Sequence, residues 1–319
     1  MSKICFGCGA KLQSTNKESE GFIPEQKLEE SKYCQRCFRM IHYGENRPAK
    51  EPKSTTSIIN TVNKNAEFAV FMVDFINIFD DVMAIYKRIK VPKVLVISKS
   101  DIIPKNVSFS QIKNYLKIVY NITGDIIFTS NKSNLNTFIK CLYGKKEAYF
   151  LGLTNSGKST LLNSLIEKFG GTATTLTTSY KENTTQDFVR IKLKGLTLID
   201  SPGFVIENFE LNKDSNITNE IHPITYQNKI KSTYKLDKLF DITIKGNTNA
   251  VFYFSKNIKI NRIYNKDIQG ITFKVRANSD IVICGLGFIK ITDDTEIIIK
   301  DELMKFINIR PSLVGGIYE

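Results

Sequence analysis

The stretch "GLTNSGKST", residues 152–160, matches the phosphate loop in full, with Gly152, then Gly157, Lys158 and Ser159 at the required spacing. Its glycines let backbone N–H groups turn inward around phosphates, with Asn155, Ser156, Gly157 and Thr160 in the same cradle. Lys158 would reach the β- and γ-phosphates, and the Ser159 hydroxyl would take a place on Mg²⁺. Farther along, "LKGLTLIDSPGF" gives a strand ending in Asp200 and followed by Gly203. A carboxylate there can hold Mg²⁺ through water, and the Gly203 amide can contact a γ-phosphate. Between the two lies the threonine-rich "TTSYKENTTQDF". Thr185, with Thr184 in reserve, is the candidate for a second Mg²⁺ hydroxyl, against the alternative of a merely flexible loop.

A third group precedes the phosphate loop. "VLVISKSD", residues 94–101, reads as a strand running into Lys99-x-Asp101. The Asp101 carboxylate would accept from the N1–H and exocyclic amine of guanine, while the Lys99 stem packs on the base. Alone, Lys-x-Asp is weak in a lysine-rich chain. It gains weight from "DIIFTSNKSN" downstream, where Ser130 and Asn131 fall in the place of a second base-contacting loop.

These groups need strand ends to hold them. "AEFAVFMVDF", "PKVLVIS", "EAYFLG" and "LTLID" have the apolar, β-branched character of buried strands, and "STLLNSLIEKF" repeats its apolar residues at helical spacing. Along the chain the order is base loop, second base loop, phosphate loop, threonine loop, Asp200 loop. That is the usual order of a GTP-hydrolysing domain, rotated. A doubly wound sheet tolerates the rotation, because its site is built from strand ends that meet in space.

At 319 residues and 42% hydrophobic content the chain can bury a substantial core. We expect an N-terminal zinc module at 1–48, an α/β, circularly permuted P-loop GTPase domain at 49–210 and a β-rich domain at 211–319. The formal charge of +13 admits polyanionic partners, but the excess is spread along the chain and lysine outnumbers arginine, so RNA binding is permitted rather than indicated. "MSKICFGCGAKLQ" has no signal-peptide core and the longest apolar runs are strand-sized, so we expect a cytoplasmic protein without a membrane partner.

Cys5, Cys8, Cys34 and Cys37 form two Cys-x-x-Cys pairs suited to a closed, structural Zn²⁺ site. Disulfides or a redox dithiol lack the secretory signal or βαβ context they need. Lys32, Arg36, Arg39, His42, Tyr43 and Arg47 around the second pair suit either an RNA-facing surface or an ordinary solvated face. Cys141 and Cys284 read as core residues. The C-terminal part opens with "LNKDSNITNEIHPITYQNK", which reads as a mobile polar stretch, and continues through β-patterned segments ending in "FINIRPSL". His222 reads as a loop or packing histidine, and no Ser/His/Asp or paired-carboxylate set stands out.

The rotated order, the "CFGCG…CQRCFRMIHY" module and "SDIVICGLGFIKI" together resemble the YqeH family of circularly permuted GTPases over essentially the whole chain. The resemblance implies a role in assembly of the small (30S) ribosomal subunit, with the subunit or its precursor and ribosomal RNA as partners. It also implies zinc in the N-terminal module, GTP and GDP as ligands, and potassium-assisted hydrolysis with Asn155 at the potassium-associated position. A monomer is expected. This chain departs from the pattern at Ser98, where the base loop begins with Asn, at Glu182 and Asn183, where Pro-Gly is usual, and at Phe288, where Trp is usual. Phe204 stands where Ras-like enzymes place a water-orienting glutamine, so slow intrinsic hydrolysis is expected. A nucleotide-sensing RNA scaffold and a nucleic-acid ATPase are the alternatives; Asp101, facing the base, argues against the latter.

Overall fold

The computed structural model describes residue 3 and residues 11–16, 21–28, 31, 34–35, 54–130, 135–170, 174–177, 188–193, 195–204, 220–266 and 268–315. The chain divides into two compact units, Met1–Met72 with Arg88–Val96 and Ser133–Val205, and Val73–Lys87 with Ile97–Lys132 and Ile206–Glu319.

Seven strands form the α/β sheet: β1 (Ala69–Asp74), β2 (Lys93–Ser98), β3 (Ile126–Phe128), β4 (Glu147–Gly152), β5 (Thr174–Thr177), β6 (Val189–Leu193) and β7 (Leu196–Asp200). Their order is β3-β2-β1-β4-β7-β6-β5. β1, β4 and β7 run parallel, while β7, β6 and β5 pair antiparallel. β1 is buried at every position and β4 at all but its first, as expected of central strands covered on both faces. The strand that leads into the phosphate loop is therefore the fourth in sequence yet central in space. Strands that precede it in the chain lie on one side of it, with strands that follow it on the other, which is the rotation read from the motif order.

The helices are α1 (Thr55–Asn65), α2 (Asp80–Arg88), α3 (Phe109–Tyr120), α4 (Asn136–Leu142) and α5 (Lys158–Gly170). Ser54 caps α1 by accepting from the Ser57 N–H, and Ser108 with Gln111 forms a capping box on α3. Their apolar stripes, such as Ile112, Tyr115 and Leu116 of α3, are buried. In the N-terminal region, Leu12, Ile23 and Cys34 bury one another beside Leu28. Cys5, Cys8 and Cys37, and Lys32, Arg36, Arg39, His42, Tyr43 and Arg47, lie outside the described residues.

The C-terminal part is β-rich, as its patterning suggests. Its strands are β8 (Ile221–Asn228), β9 (Ser232–Leu236), β10 (Phe240–Ile244), β11 (Thr248–Ser255), β12 (Ile260–Tyr264), β13 (Ile271–Val275), β14 (Ser279–Ile283), β15 (Gly287–Ile291), β16 (Thr295–Ile299) and β17 (Ile307–Pro311). They build two five-stranded antiparallel sheets, β12-β9-β10-β16-β13 and β17-β14-β15-β11-β8, whose inner faces close on one core. Ile221–Asn228 corrects the expectation of a mobile stretch: this polar segment pairs with β11 along its whole length. It is an edge strand with mostly exposed side chains, so a two-residue hydrophobic alternation never appears in its sequence.

The "CGLGF" segment is the β14–β15 turn. Gly285 takes φ 75°, and a Cβ at Gly287 would stand 2.4 Å from the Tyr253 carbonyl oxygen. Phe288 is wholly buried, stacked on Tyr253 with ring centroids 4.6 Å apart. Cys284 is buried, and burial pushes its thiol up to about 12. Cys141 is only partly buried, with its thiol donating to the Phe138 carbonyl; helix spacing turns it off the core face that Phe138 and Leu142 share.

Candidate nucleotide site

In the first compact unit the phosphate loop follows β4 and ends where α5 begins at Lys158, so the first-turn N–H groups of α5 face the loop. A Cβ on Gly152 would lie 2.5 Å from the Met72 carbonyl oxygen and 2.7 Å from Ser156 Oγ, so only glycine fits between β4 and β1. Asn155 and Gly157 take left-handed backbone, φ 61° and 85°. Asparagine and glycine accept this geometry most readily, and it curls successive N–H groups toward one side.

The Asp200 loop is sewn to the phosphate loop through backbone. Phe204 N–H donates to the Gly152 carbonyl at 2.9 Å, and Leu153 and Phe204 form a parallel bridge. A Cβ on Gly203 would meet Thr154 Oγ1 at 2.9 Å, which explains the glycine by close approach. The Phe204 ring is wholly buried, with its centroid 6.0 Å from that of Phe71. It is a core anchor and presents nothing to water.

Lys158 is buried, Asp200 is partly buried with its Oδ1 shielded from solvent, and each carries the other's electrostatic influence. Burial lowers the Lys158 pKa against the opposing pull of Asp200, and burial raises Asp200 to about 6 against the pull of Lys158. Asp200 Oδ1 is buried and accepts no hydrogen bond among the described residues. A buried carboxylate oxygen with open lone pairs fits a divalent cation or its bound water. A buried lysine at the start of α5, just after the phosphate loop, fits a phosphate chain.

The base loop lies in the second unit. Lys99 holds left-handed backbone, φ 51°, rare for a long side chain and typical of positions held for function. Asp101 is exposed, in the turn Ser100–Ile102. The Ser100 N–H donates to the Thr129 carbonyl, and the Thr129 N–H to the Ile97 carbonyl, which ties this loop to the one carrying Ser130. Ser98 is buried at the end of β2.

Asp74, at the end of β1, is invisible to motif reading. It is 4% exposed and its Oδ2 lies 3.2 Å from Lys99 Nζ, so it fixes the lysine that would lie along the base. Its Oδ1 accepts from the Asn77 N–H at 3.0 Å, and Asn77 Oδ1 accepts from the Gly285 N–H at 3.1 Å. The base loop is thus linked by three polar contacts to the "GLGF" turn. The only sequence signal is a carboxylate at the end of an otherwise apolar strand.

Thr184, Thr185, Glu182, Asn183 and Asn131 lie outside the described residues. Among the described residues no group of three His, Cys, Asp or Glu gathers as a metal site, and no helix is long and apolar enough to cross a membrane.

Residues 53–212, about half of the chain, match the family described as RsgA GTPase. "Uncharacterized protein YqeH" of Bacillus subtilis is 26% identical over 343 aligned positions, covering 91% of this chain and 93% of that one. The yeast protein "Genetic interactor of prohibitins 3, mitochondrial" (Saccharomyces cerevisiae) is 32% identical over 148 positions, 43% of this chain but only 26% of its own length. YjeQ from Thermotoga maritima (21% identity, TM-score 0.32) covers 44% of this chain and 49% of its own. GNP-bound YlqF from T. maritima (17% identity, TM-score 0.31) covers 47% and 58%. Structural likeness at this level establishes neither fold nor function. The family match, falling on a sheet whose phosphate loop follows its fourth strand, places this chain in the RsgA GTPase family, among circularly permuted GTPases of the YqeH type.

Proposed function

We propose that this protein binds and hydrolyses GTP as a factor in assembly of the small (30S) ribosomal subunit, joining the precursor in its GTP state and leaving after hydrolysis. The observation that carries the nucleotide reading is the phosphate loop with Lys158 buried at its end and Asp200 Oδ1 buried without a hydrogen-bond partner among the described residues. Family membership supports the ribosomal part, and the dispersed positive charge permits it.

In this reading Gly152, Asn155, Ser156, Gly157 and Thr160 cradle the phosphates, and Lys158 offsets the charge that develops on them. Ser159, Asp200 and Thr185 would hold Mg²⁺, which would supply positive charge to offset the negative charge of the phosphates. The Gly203 amide contacts the γ-phosphate. Asp101 reads guanine, Lys99 lies along its face, and Ser130 and Asn131 close the other side. Asn155 is also the proposed potassium residue. Cys5, Cys8, Cys34 and Cys37 form the zinc site of module 1–48, ahead of the GTPase domain 49–210 and a ribosome-facing domain 211–319. The protein is cytoplasmic and monomeric.

Phe204 points into the core, so nothing at that position orients the attacking water and intrinsic hydrolysis is slow. The same observation favours a second reading, a nucleotide-sensing RNA scaffold with weak or no hydrolysis. GTP turnover in potassium buffer, with and without purified small subunits, separates the two. A potassium-dependent stimulation of at least about a hundredfold, lost in Lys158→Ala and in sodium, is the expected result. Subunit binding without stimulation selects the scaffold, and absence of binding removes the ribosomal assignment.

A further inference from the structure

We infer that the seam between β8 and β12 is a single-stranded RNA site in which Tyr264 stacks on a base and Arg262 with Lys229 faces the backbone phosphates. The inference rests on the ribosomal reading above and gives it a location.

A cavity of about 540 Å³ opens here, lined by Thr225, Tyr226 and Gln227 of β8, Lys229 and Ile230 of the following turn, and Arg262 and Tyr264 of β12. Both strands are sheet edges, each paired on one side only among the described residues, so their backbones leave a furrow between the two sheets. The lining residues carry two cations and no carboxylate, which makes the furrow attractive to an anion.

The side chains are arranged as a platform. The Arg262 guanidinium lies 4.7 Å from the centroid of Tyr264 and 5.5 Å from that of Tyr234, and its Nε donates to Ser232 Oγ at 3.1 Å. Tyr234 is wholly buried and packs on Phe252 and Tyr226, so the arginine is anchored from beneath. Tyr264 is the outermost ring, 56% exposed. An exposed aromatic face, held by an ordered cation and flanked by lysine, is the arrangement on which an unpaired base stacks while its phosphate is neutralised. Thr225 and Gln227 add neutral hydrogen-bonding groups beside it. A duplex hides its base faces, so this furrow selects unpaired strands.

The test is fluorescence anisotropy of the full chain with a labelled oligouridylate of about ten nucleotides, beside a duplex RNA of similar length. Tyr264→Ala is expected to weaken oligouridylate binding about tenfold, with Tyr264→Phe close to wild type because the ring is kept. Arg262→Ala should weaken binding and flatten its salt dependence, whereas Arg262→Lys should restore the salt slope but not the full affinity. RNA-free GTP turnover should be unchanged in the Tyr264 variants, which shows that they fold. Equal binding of single strand and duplex, or wild-type affinity in Tyr264→Ala, overturns the site. If the oligonucleotide does not bind while small subunits still stimulate GTP turnover, the site falls and the ribosomal reading stands. Loss of binding in Tyr264→Ala together with no binding of small subunits by the wild type leaves the site standing and removes that reading.

Discussion

The proposed phosphate-binding group in the first unit and the proposed base-reading group in the second are built by different means. In the first, the backbone does the positioning: Gly152 and Gly203 permit close approach, Phe204 ties the Asp200 loop to Gly152, and α5 starts at the lysine itself. In the second, side chains do it. Asp74 grips Lys99 and Asn77 links Asp74 to Gly285, while nearby Arg310, wholly buried, reaches Asp280 at 3.1 Å and the Ile78 carbonyl. Phe288 completes this region, meeting Phe75 edge-on at 5.7 Å under the Arg310 guanidinium. A backbone-built cradle should tolerate changes in its surroundings and fail at its glycines. A side-chain-built holder should register changes made in the C-terminal sheets.

The largest effect is expected from Arg310→Ala, which strands Asp280 as an unpaired buried charge and should cost about 3–5 kcal/mol of stability in denaturant unfolding. A loss below about 1 kcal/mol would mean that the pair contributes little to this region. Gly152→Ala forces a Cβ against the Met72 carbonyl and should weaken GDP binding by at least about a hundredfold, measured by calorimetry. Binding near wild type would show that β1 and β4 can part at this point. Asp74→Asn keeps the shape but removes the charge that holds Lys99, and should weaken GDP about tenfold. Asn77→Ala should reproduce part of that loss although it touches neither lysine nor base. If Asn77→Ala leaves affinity alone, the linkage to the C-terminal turn is structural only.

The smallest effect is a pH slope in the nucleotide-free protein. Asp200 is raised to about 6 in the folded state from an ordinary value near 3.8, so between these limits the native state binds more protons than the unfolded one. Stability contributed by this group therefore falls as pH rises through that window, by no more than about 1 kcal/mol per pH unit. Thermal unfolding should show the slope, and Asp200→Asn should abolish it.

The different construction of the two groups also explains why one is easier to read from sequence. The phosphate loop, the Asp200 loop and their strands are legible because local backbone geometry forces glycine at fixed spacings, and a buried parallel strand such as β1 is apolar up to its last residue. The rotated order is legible for the same reason. Asp74 is not, because its partner lies 25 residues away and nothing local distinguishes it from any carboxylate ending a strand. β8 has the polar composition of a mobile stretch, since an edge strand facing water has no apolar rhythm. Phe204 declares its inability to orient water by residue type alone, but its packing on Phe71 emerges only in three dimensions.

By itself, the sequence determined the circular rotation of the motifs and which short stretches are proposed to do chemistry: the phosphate loop, the Asp200 carboxylate and the Lys99-x-Asp101 loop. The tertiary structure alone decided which distant groups meet, Asp74 under Lys99 in the base loop and, elsewhere, the aromatic ladder under Arg262. Such contacts join residues far apart in the chain through packing and desolvation, and these leave no periodic trace in the sequence.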